Sequence, residues 1–272
     1  MRMGLGLGLS RGRRRGISLD ADAAAYIAAV ETADGESLEA GVKTAINDFV
    51  AGCKSDGIWD AIKASCILAG ARTLNGCLVP LRGDAPTNFN FVSADYNRVT
   101  GLKGDGSTKY LDSNRSNNAD PQNNQHLSVW KSENHSLPAN GLGLYIGAGA
   151  TGSGASQIGR SGSSLSLEDE FSRSRSSSGS LVGPDDPLTG LTGITRSNAS
   201  EYTHRTSGSD FLLSVGSQES SSDSLFIFRR NGSSGGFANA RLSFYSIGES
   251  LDLALLDARV SALMTALDGA IA

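Results

Sequence analysis

From about residue 64 to residue 247, no apolar run lasts more than about six residues before Gly, Ser, Asn or Asp interrupts it. Those four residue types supply turn conformations, so the spacing predicts many short strands joined by turns. The candidate strands are 66–68, 100–102, 110–111, 127–130, 143–147, 164–167, 188–196, 201–205, 211–215, 224–229 and 240–247. Arg230-Asn231-Gly232, which follows SLFIFRR, is the best hairpin signal, because Asn-Gly takes positive φ readily. The chain holds 34 Gly and 40 Ser among 272 residues, as a large, gently curved sheet with small residues on its exposed face would. With 6 Pro and no G-x-y period it is not collagen-like, and with 19% charged residues it is not a charge-rich disordered polymer.

Helical periodicities flank this region. Asp20 is placed to cap a helix over 21–31, with Tyr26, Ile27 and Val30 on one side. Ser37 is the expected cap of a second helix, whose apolar face is Leu38, Val42, Ile46, Phe49 and Val50. Asp56-Gly57 breaks the pattern, and Ile58, Trp59 and Ile62 suggest a short third helix. Residues 64–69 fit a buried strand. Ser250 is the expected cap of a C-terminal helix striped by Leu256, Val260, Leu263, Met264 and Leu267. The expected organisation is an arm over 1–18, a helical segment over 19–63, an antiparallel β-sandwich over 64–249, and a helix over 250–272 packed on the sandwich or on a sister subunit.

The arm carries Arg2, Arg11, Arg13, Arg14 and Arg15 and no acid, whereas the whole chain has a net charge of -4. Gly4, Gly6 and Gly8 alternate with Leu5, Leu7 and Leu9. The glycines let the backbone enter a narrow groove, the leucines can fill alternate pockets as in strand addition, and Arg11, Arg13, Arg14 and Arg15 can pair with carboxylates at the groove mouth. This reads as an anchor to another protein. The short apolar run at 4–9 lacks the length and cleavage site of a secretion signal. No run of 18 apolar residues suggests a membrane helix, and an acidic chain is a poor nonspecific nucleic-acid binder.

The search for chemistry returns mostly absences. GxxxxGK[ST], HExxH and zinc-like Cys/His spacings do not occur, so neither cofactor nor metal is expected. Cys53, Cys66 and Cys77 read as buried free thiols, and His126, His135 and His204 are far apart. The 104–109 segment, GDGSTK, reads as a turn between strands. Glu168-Asp169-Glu170 is the one tight carboxylate cluster. Its members are consecutive, which gives no acid/base pair of defined separation, so a solvated loop or strand end is expected. Residues 172–180, SRSRSSSGS, read as a mobile loop. The acceptor-rich run DSNRSNNADPQNNQ over 112–125 offers Asn117, Asn118 and Asp120 as candidate glycan ligands. Trp130 and Tyr145 are candidate stacking platforms, with a core role more in keeping for each because aromatics are scarce.

Several stretches resemble structural proteins of tailed bacteriophages that carry a concanavalin A-like, laminin-G-like module. KTAINDFVAGCKSDGIWDAI (43–62) resembles the helical segment ahead of that module. VTGLKGDGSTKYLD (99–112) is similar to its strand-turn-strand, and RLSFYSIGESLDLALLDARVSALMTAL (241–267) to its closing strand and helix. MRMGLGLGLSRGRRRG resembles the basic Gly/Leu-rich starts of the same virion proteins. The resemblance implies a jelly-roll sandwich on a phage or phage-like particle, assembled in the bacterial cytoplasm. It implies other virion proteins as partners and a homo-oligomer, with a trimer favoured. The expected function is a non-enzymatic surface protein: a tail fibre or tip, a head spike or a capsid decoration, with host glycan as a candidate ligand. The alternative is a glycan-degrading virion enzyme on the same fold.

Overall fold

The computed structural model describes residues 19–133, 137, 141–150, 152, 154–161, 169–184, 189–232 and 236–271. Two helices, α1 (Ala21–Asp34) and α2 (Ala40–Ser55), precede the strands. Then come β1 (Ile62–Ile67), a single turn α3 (Leu74–Cys77), β2 (Thr87–Phe89), β3 (Tyr96–Asn97), β4 (Gly101–Lys103), β5 (Tyr110–Ser116) and β6 (Gln125–Lys131). The chain continues through β7 (Leu142–Ala148), β8 (Ala155–Ser161), β9 (Asp169–Ser176), β10 (Ser180–Pro184), β11 (Gly190–Arg196), β12 (Tyr202–Thr206) and β13 (Ser209–Leu213). It closes with β14 (Ser224–Ile227), β15 (Arg230–Asn231), β16 (Arg241–Gly248) and α4 (Leu253–Ile271).

The strands form two facing sheets, antiparallel except where β15 runs parallel to β7. The first has the order β13-β12-β11-β6-β16-β4-β3, with β1 also on β16. The second has the order β10-β9-β8-β7-β14-β5-β2. The expected sandwich is therefore present. The core lies between the sheets, where Leu127, Val129, Ile194, Tyr245 and Ile247 meet Leu111, Ile146, Ile158 and Ile227, all fully buried. The other face of the first sheet is covered by α2 and α4. Phe49 of α2 meets Phe244 edge-on at 5.7 Å, and Arg205 of β12 bonds Asp257 of α4 at 2.8 Å. Covered on both faces, β16 is buried from Leu242 to Gly248, its apolar residues broken only by the small Ser243 and Ser246. Gly193 lets α4 come close: a Cβ there would stand 2.9 Å from Leu253. Among the described residues, no helix is long and apolar enough to cross a membrane.

Several local expectations need correction. The second helix starts at Ala40, after an extended Glu39, because the Leu38 amide is held by the Glu31 carboxylate at 2.8 Å. Asp252, not Ser250, caps α4, accepting from the amides of Ala254 and Leu255. The expected third helix is one 3-10 turn, Trp59–Ala61, because Ile62 already pairs with Gly248 in the sheet. Among the described residues, β14 has no hairpin partner beyond Arg230-Asn231-Gly232. β14 is bonded to β5 on one edge and β7 on the other, so it has no edge left for a hairpin partner. The two-residue turn lies instead at Ser207-Gly208, both with positive φ, joining β12 to β13. The 172–180 segment is not a loop but most of β9 and the start of β10, with Ser172, Ser174, Arg175 and Ser176 buried. The arm with Leu5, Leu7, Leu9, Arg11, Arg13, Arg14 and Arg15 lies outside the described residues, as do the 164–167 strand, Glu168 and His135.

Candidate functional site

The sequence-derived glycan candidates do not converge. Asn117 is buried between β5 and β6: its Nδ2 donates to the Gly154 carbonyl at 3.0 Å, and its Oδ1 accepts from Gln125 Nε2 at 3.0 Å. Asp120 is nearly buried and takes the Arg115 guanidinium. Both residues spend their polar atoms holding the 117–124 loop on the sandwich. Asn118 is exposed beside them. Trp130 lies at the far end of β6, on the helix-covered face. There it lines a cleft of about 450 Å³ with Thr100, Ser132, Thr189, Met264 and Asp268. Tyr145 is fully buried in the core.

Glu170 is not the solvated acid expected from its neighbours. On β9 it points between the sheets with no solvent exposure, 3.2 Å from Lys131 Nζ of β6, itself 1% exposed. Thr192 Oγ1 donates to Glu170 Oε1 at 2.5 Å and lies 3.1 Å from His204 Nε2. The threonine has one proton, and it goes to the carboxylate; the imidazole Nε2–H then donates to the threonine oxygen. Lys131 also sits 5.6 Å from the Tyr145 ring centre. This is an ion pair sealed in a polar pocket of the core, with its lone pairs and protons directed at protein groups. Among the described residues, no cluster of three or more His, Cys, Asp or Glu is placed to hold a metal ion.

The surface feature that chain order concealed is on the outer face of the second sheet. Alternation along β5 sends Leu111 and Ser113 inward and Tyr110 and Asp112 outward. Register then places Phe89 of β2 opposite Tyr110, and Phe226 of β14 opposite Asp112. Phe89 and Tyr110 stack face to face, with centroids 4.4 Å apart and planes 3° from parallel. Phe226 lies 4.9 Å from Tyr110, and Phe237, from the segment after β15, lies 6.2 Å away at 68°. Over them lies Arg229, its guanidinium carbon 4.5 Å from the Phe237 ring centre, 4.8 Å from Tyr110 and 5.5 Å from Phe226. Phe89 is 36% exposed and the other three rings are half-buried. The chain has only 17 aromatic residues, so four on one solvent-facing patch is a concentration that a solvated sheet face does not need.

The flanking turn is rigid. Asp105 Oδ1 accepts from the amides of Ser107, Thr108 and Lys109, and its Oδ2 accepts from Thr108 Oγ1. Burial alone would raise this carboxyl, but the Thr108, Ser107 and Lys109 hydrogen bonds outweigh it and hold the group well below the usual carboxylate range. Asn90, at φ 68°, ties its side chain to the Thr108 carbonyl. The GDGSTK segment is thus the expected turn, and it fixes where Tyr110 enters β5. Sequence reading missed the cluster because its rings come from four separate segments, and Thr87–Phe89 was too short to read as a strand. The only local trace is the placing of Phe226 three residues before Arg229.

No family model matches the chain, and no curated protein matches it in sequence. Among solved structures, the enzymatically active domain of tailspike protein 2 of bacteriophage CBA120 is similar at a TM-score of 0.43 and 10% identity. That match covers 64% of this chain and 29% of the tailspike chain. Domain 4 of AbnA, an extracellular arabinanase of Geobacillus stearothermophilus solved with arabinotriose, is similar at 0.39 and 12% identity, over 67% of this chain and 82% of that one. A mutant Trypanosoma rangeli sialidase displaying trans-sialidase activity is similar at 0.47 and 12% identity, over 81% of this chain and 39% of its own. Likenesses at these scores do not carry a function to this chain.

Proposed function

We propose that the chain is a non-enzymatic structural protein of a phage or phage-like particle, displayed on the particle surface with the outer face of the β10-to-β2 sheet turned to host glycan. The observation that carries the glycan reading is the Arg229-centred patch of Phe89, Tyr110, Phe226 and Phe237. Ring faces left in water are costly unless something covers them, and the C–H faces of sugar rings are suited to do so. Placement on a virion rests on the sequence resemblance of the 43–62, 99–112 and 241–267 stretches. The Leu5-to-Arg15 arm serves as the anchor, and the working unit is a homotrimer. The Glu170–Lys131 pair fits a role without hydrolysis, since a carboxylate with no exposed surface is out of a substrate's reach. The test is binding of the purified protein to an array of bacterial capsular polysaccharides and O-antigens. Tyr110→Ala is expected to weaken binding at least tenfold without changing the circular dichroism spectrum, and no reducing ends should be released from bound polysaccharide. Binding unaffected by Tyr110→Ala would remove the patch from the reading, and steady release of reducing ends would establish the enzyme instead.

A further inference from the structure

We infer that the glycan held on this patch is acidic, its carboxylate taken by the edge of the Arg229 guanidinium while a neighbouring sugar ring stacks on the aromatics; the inference rests on the glycan reading above. The Arg229 guanidinium carbon lies 4.5, 4.8 and 5.5 Å from the centres of the Phe237, Tyr110 and Phe226 rings. A ring face attracts the cation but takes none of its N–H donors in a conventional hydrogen bond. Of the five N–H groups, the one on Nε goes to the Arg230 carbonyl at 3.2 Å. The four on the two terminal nitrogens meet no acceptor among the described residues. Arg72, Arg98, Arg115, Arg205, Arg241 and Arg259 show the contrast, because each faces a carboxylate of this chain. Arg229 therefore presents the planar donors of its two terminal nitrogens in the middle of the aromatic patch. A carboxylate accepts from such a pair through two parallel hydrogen bonds, and a hydroxyl cannot. Phe89, the most exposed of the four rings, is stacked on Tyr110 and gives the adjoining sugar a ring face to lie on. The ligand class this arrangement fits is a uronate-containing or otherwise carboxylated polysaccharide.

The experiment uses the same array, with uronate-containing and neutral members in matched numbers. The best-bound member is then prepared in its carboxyl-reduced form. Binding is expected to be confined to carboxylated members. Carboxyl reduction and Arg229→Gln should each weaken the affinity at least tenfold, and the two changes together should cost no more than either alone. A variant that was merely misfolded would not show that coupling. Arg229→Lys, which keeps the charge and loses the fork, should recover only part of the loss. Neutral members bound as tightly as acidic ones, or fully additive losses, would overturn the acidic ligand and leave the glycan reading standing. An array on which no polysaccharide binds would overturn both.

Discussion

Glu170 and Lys131 give up their water entirely on folding, and each is the other's compensation. Glu170→Gln takes a carboxylate from beside the buried Lys131 ammonium, and the expected loss is about 3 kcal/mol in urea unfolding. Exchanging both residues for Met should recover most of that loss, which a residue needed only for its own packing would not permit. His126 is a second such case. It is fully buried on the helix-covered face of the sheet, with Nδ1 on the Glu249 carbonyl and Nε2 2.7 Å from Ser246 Oγ. The carbonyl can only accept, so Nδ1 carries the proton and Nε2 accepts from the serine. Burial pulls the imidazole down from its ordinary 6.5 to about 4, against the raising effect of the Glu249 bond. A base whose pKa is lowered by folding contributes stability that is present in full above the unfolded value. That stability is lost as pH falls toward the folded value. The protein should therefore lose on the order of 3 kcal/mol between pH 6.5 and 4 from this residue. In His126→Gln the unfolding free energy should change much less between pH 7 and pH 5. Cys53, Cys66 and Cys77 have no exposed surface, and burial pushes the Cys53 and Cys66 thiols up to about 12. A thiol reagent should find no reactive group at pH 8 until denaturant is added.

Helix α4 shows how far an element can be read from its own periodicity. Leu256, Val260, Leu263, Met264 and Leu267 were legible as a stripe; four are buried against α2 and the sheet, and Met264 is half-buried. Leu256→Ala should cost about 3 kcal/mol, whereas Leu255→Ala, at a position 38% exposed, should stay within about 0.5 kcal/mol. The same reasoning found β6, β7, β11, β12 and β16, whose apolar residues alternate or run together. It failed at β8, β9 and β10. The reason is physical: that end of the sandwich is filled by Gln157, Arg160, Glu170, Ser172, Arg175 and Arg196 rather than by aliphatic side chains. Arg196, for instance, is buried while donating to the carbonyls of Ser174, Asn198, Glu201 and Val215. A polar residue satisfied inside a core looks the same in sequence as one bathed in water. The candidate site was illegible for a different reason. Phe89, Tyr110, Phe226 and Phe237 become neighbours only through the β2–β5–β14 register, which no local pattern encodes.

At the scale of the molecule, the sandwich, the helices that cover one of its sheets and the aromatic face on the other are expected to hold together without the arm. Deleting residues 2–15 should leave a soluble, folded protein that no longer joins particles, as measured by its absence from purified particles after complementation. Normal incorporation would move attachment to the helices or the sandwich. Sedimentation velocity at micromolar concentration should give a trimer, and a stable monomer there would count against the assembled unit. One further consequence follows from the middle of the β13-to-β3 sheet. β16 has β6 on one side and β1 with β4 on the other, and Tyr245 reaches Cys66 across 179 residues of chain. The strand that joins the two halves of that sheet is thus made long after β1. At about 5 to 20 residues per second, β1 waits on the order of ten seconds or more for its partner. A ribosome that stops before residue 241 releases a chain with a gap where that strand belongs, exposed edges on both sides, and no route to the native state. A stop codon at that position should send the product to proteases, so translation through β16 acts as an inspection step on the fold.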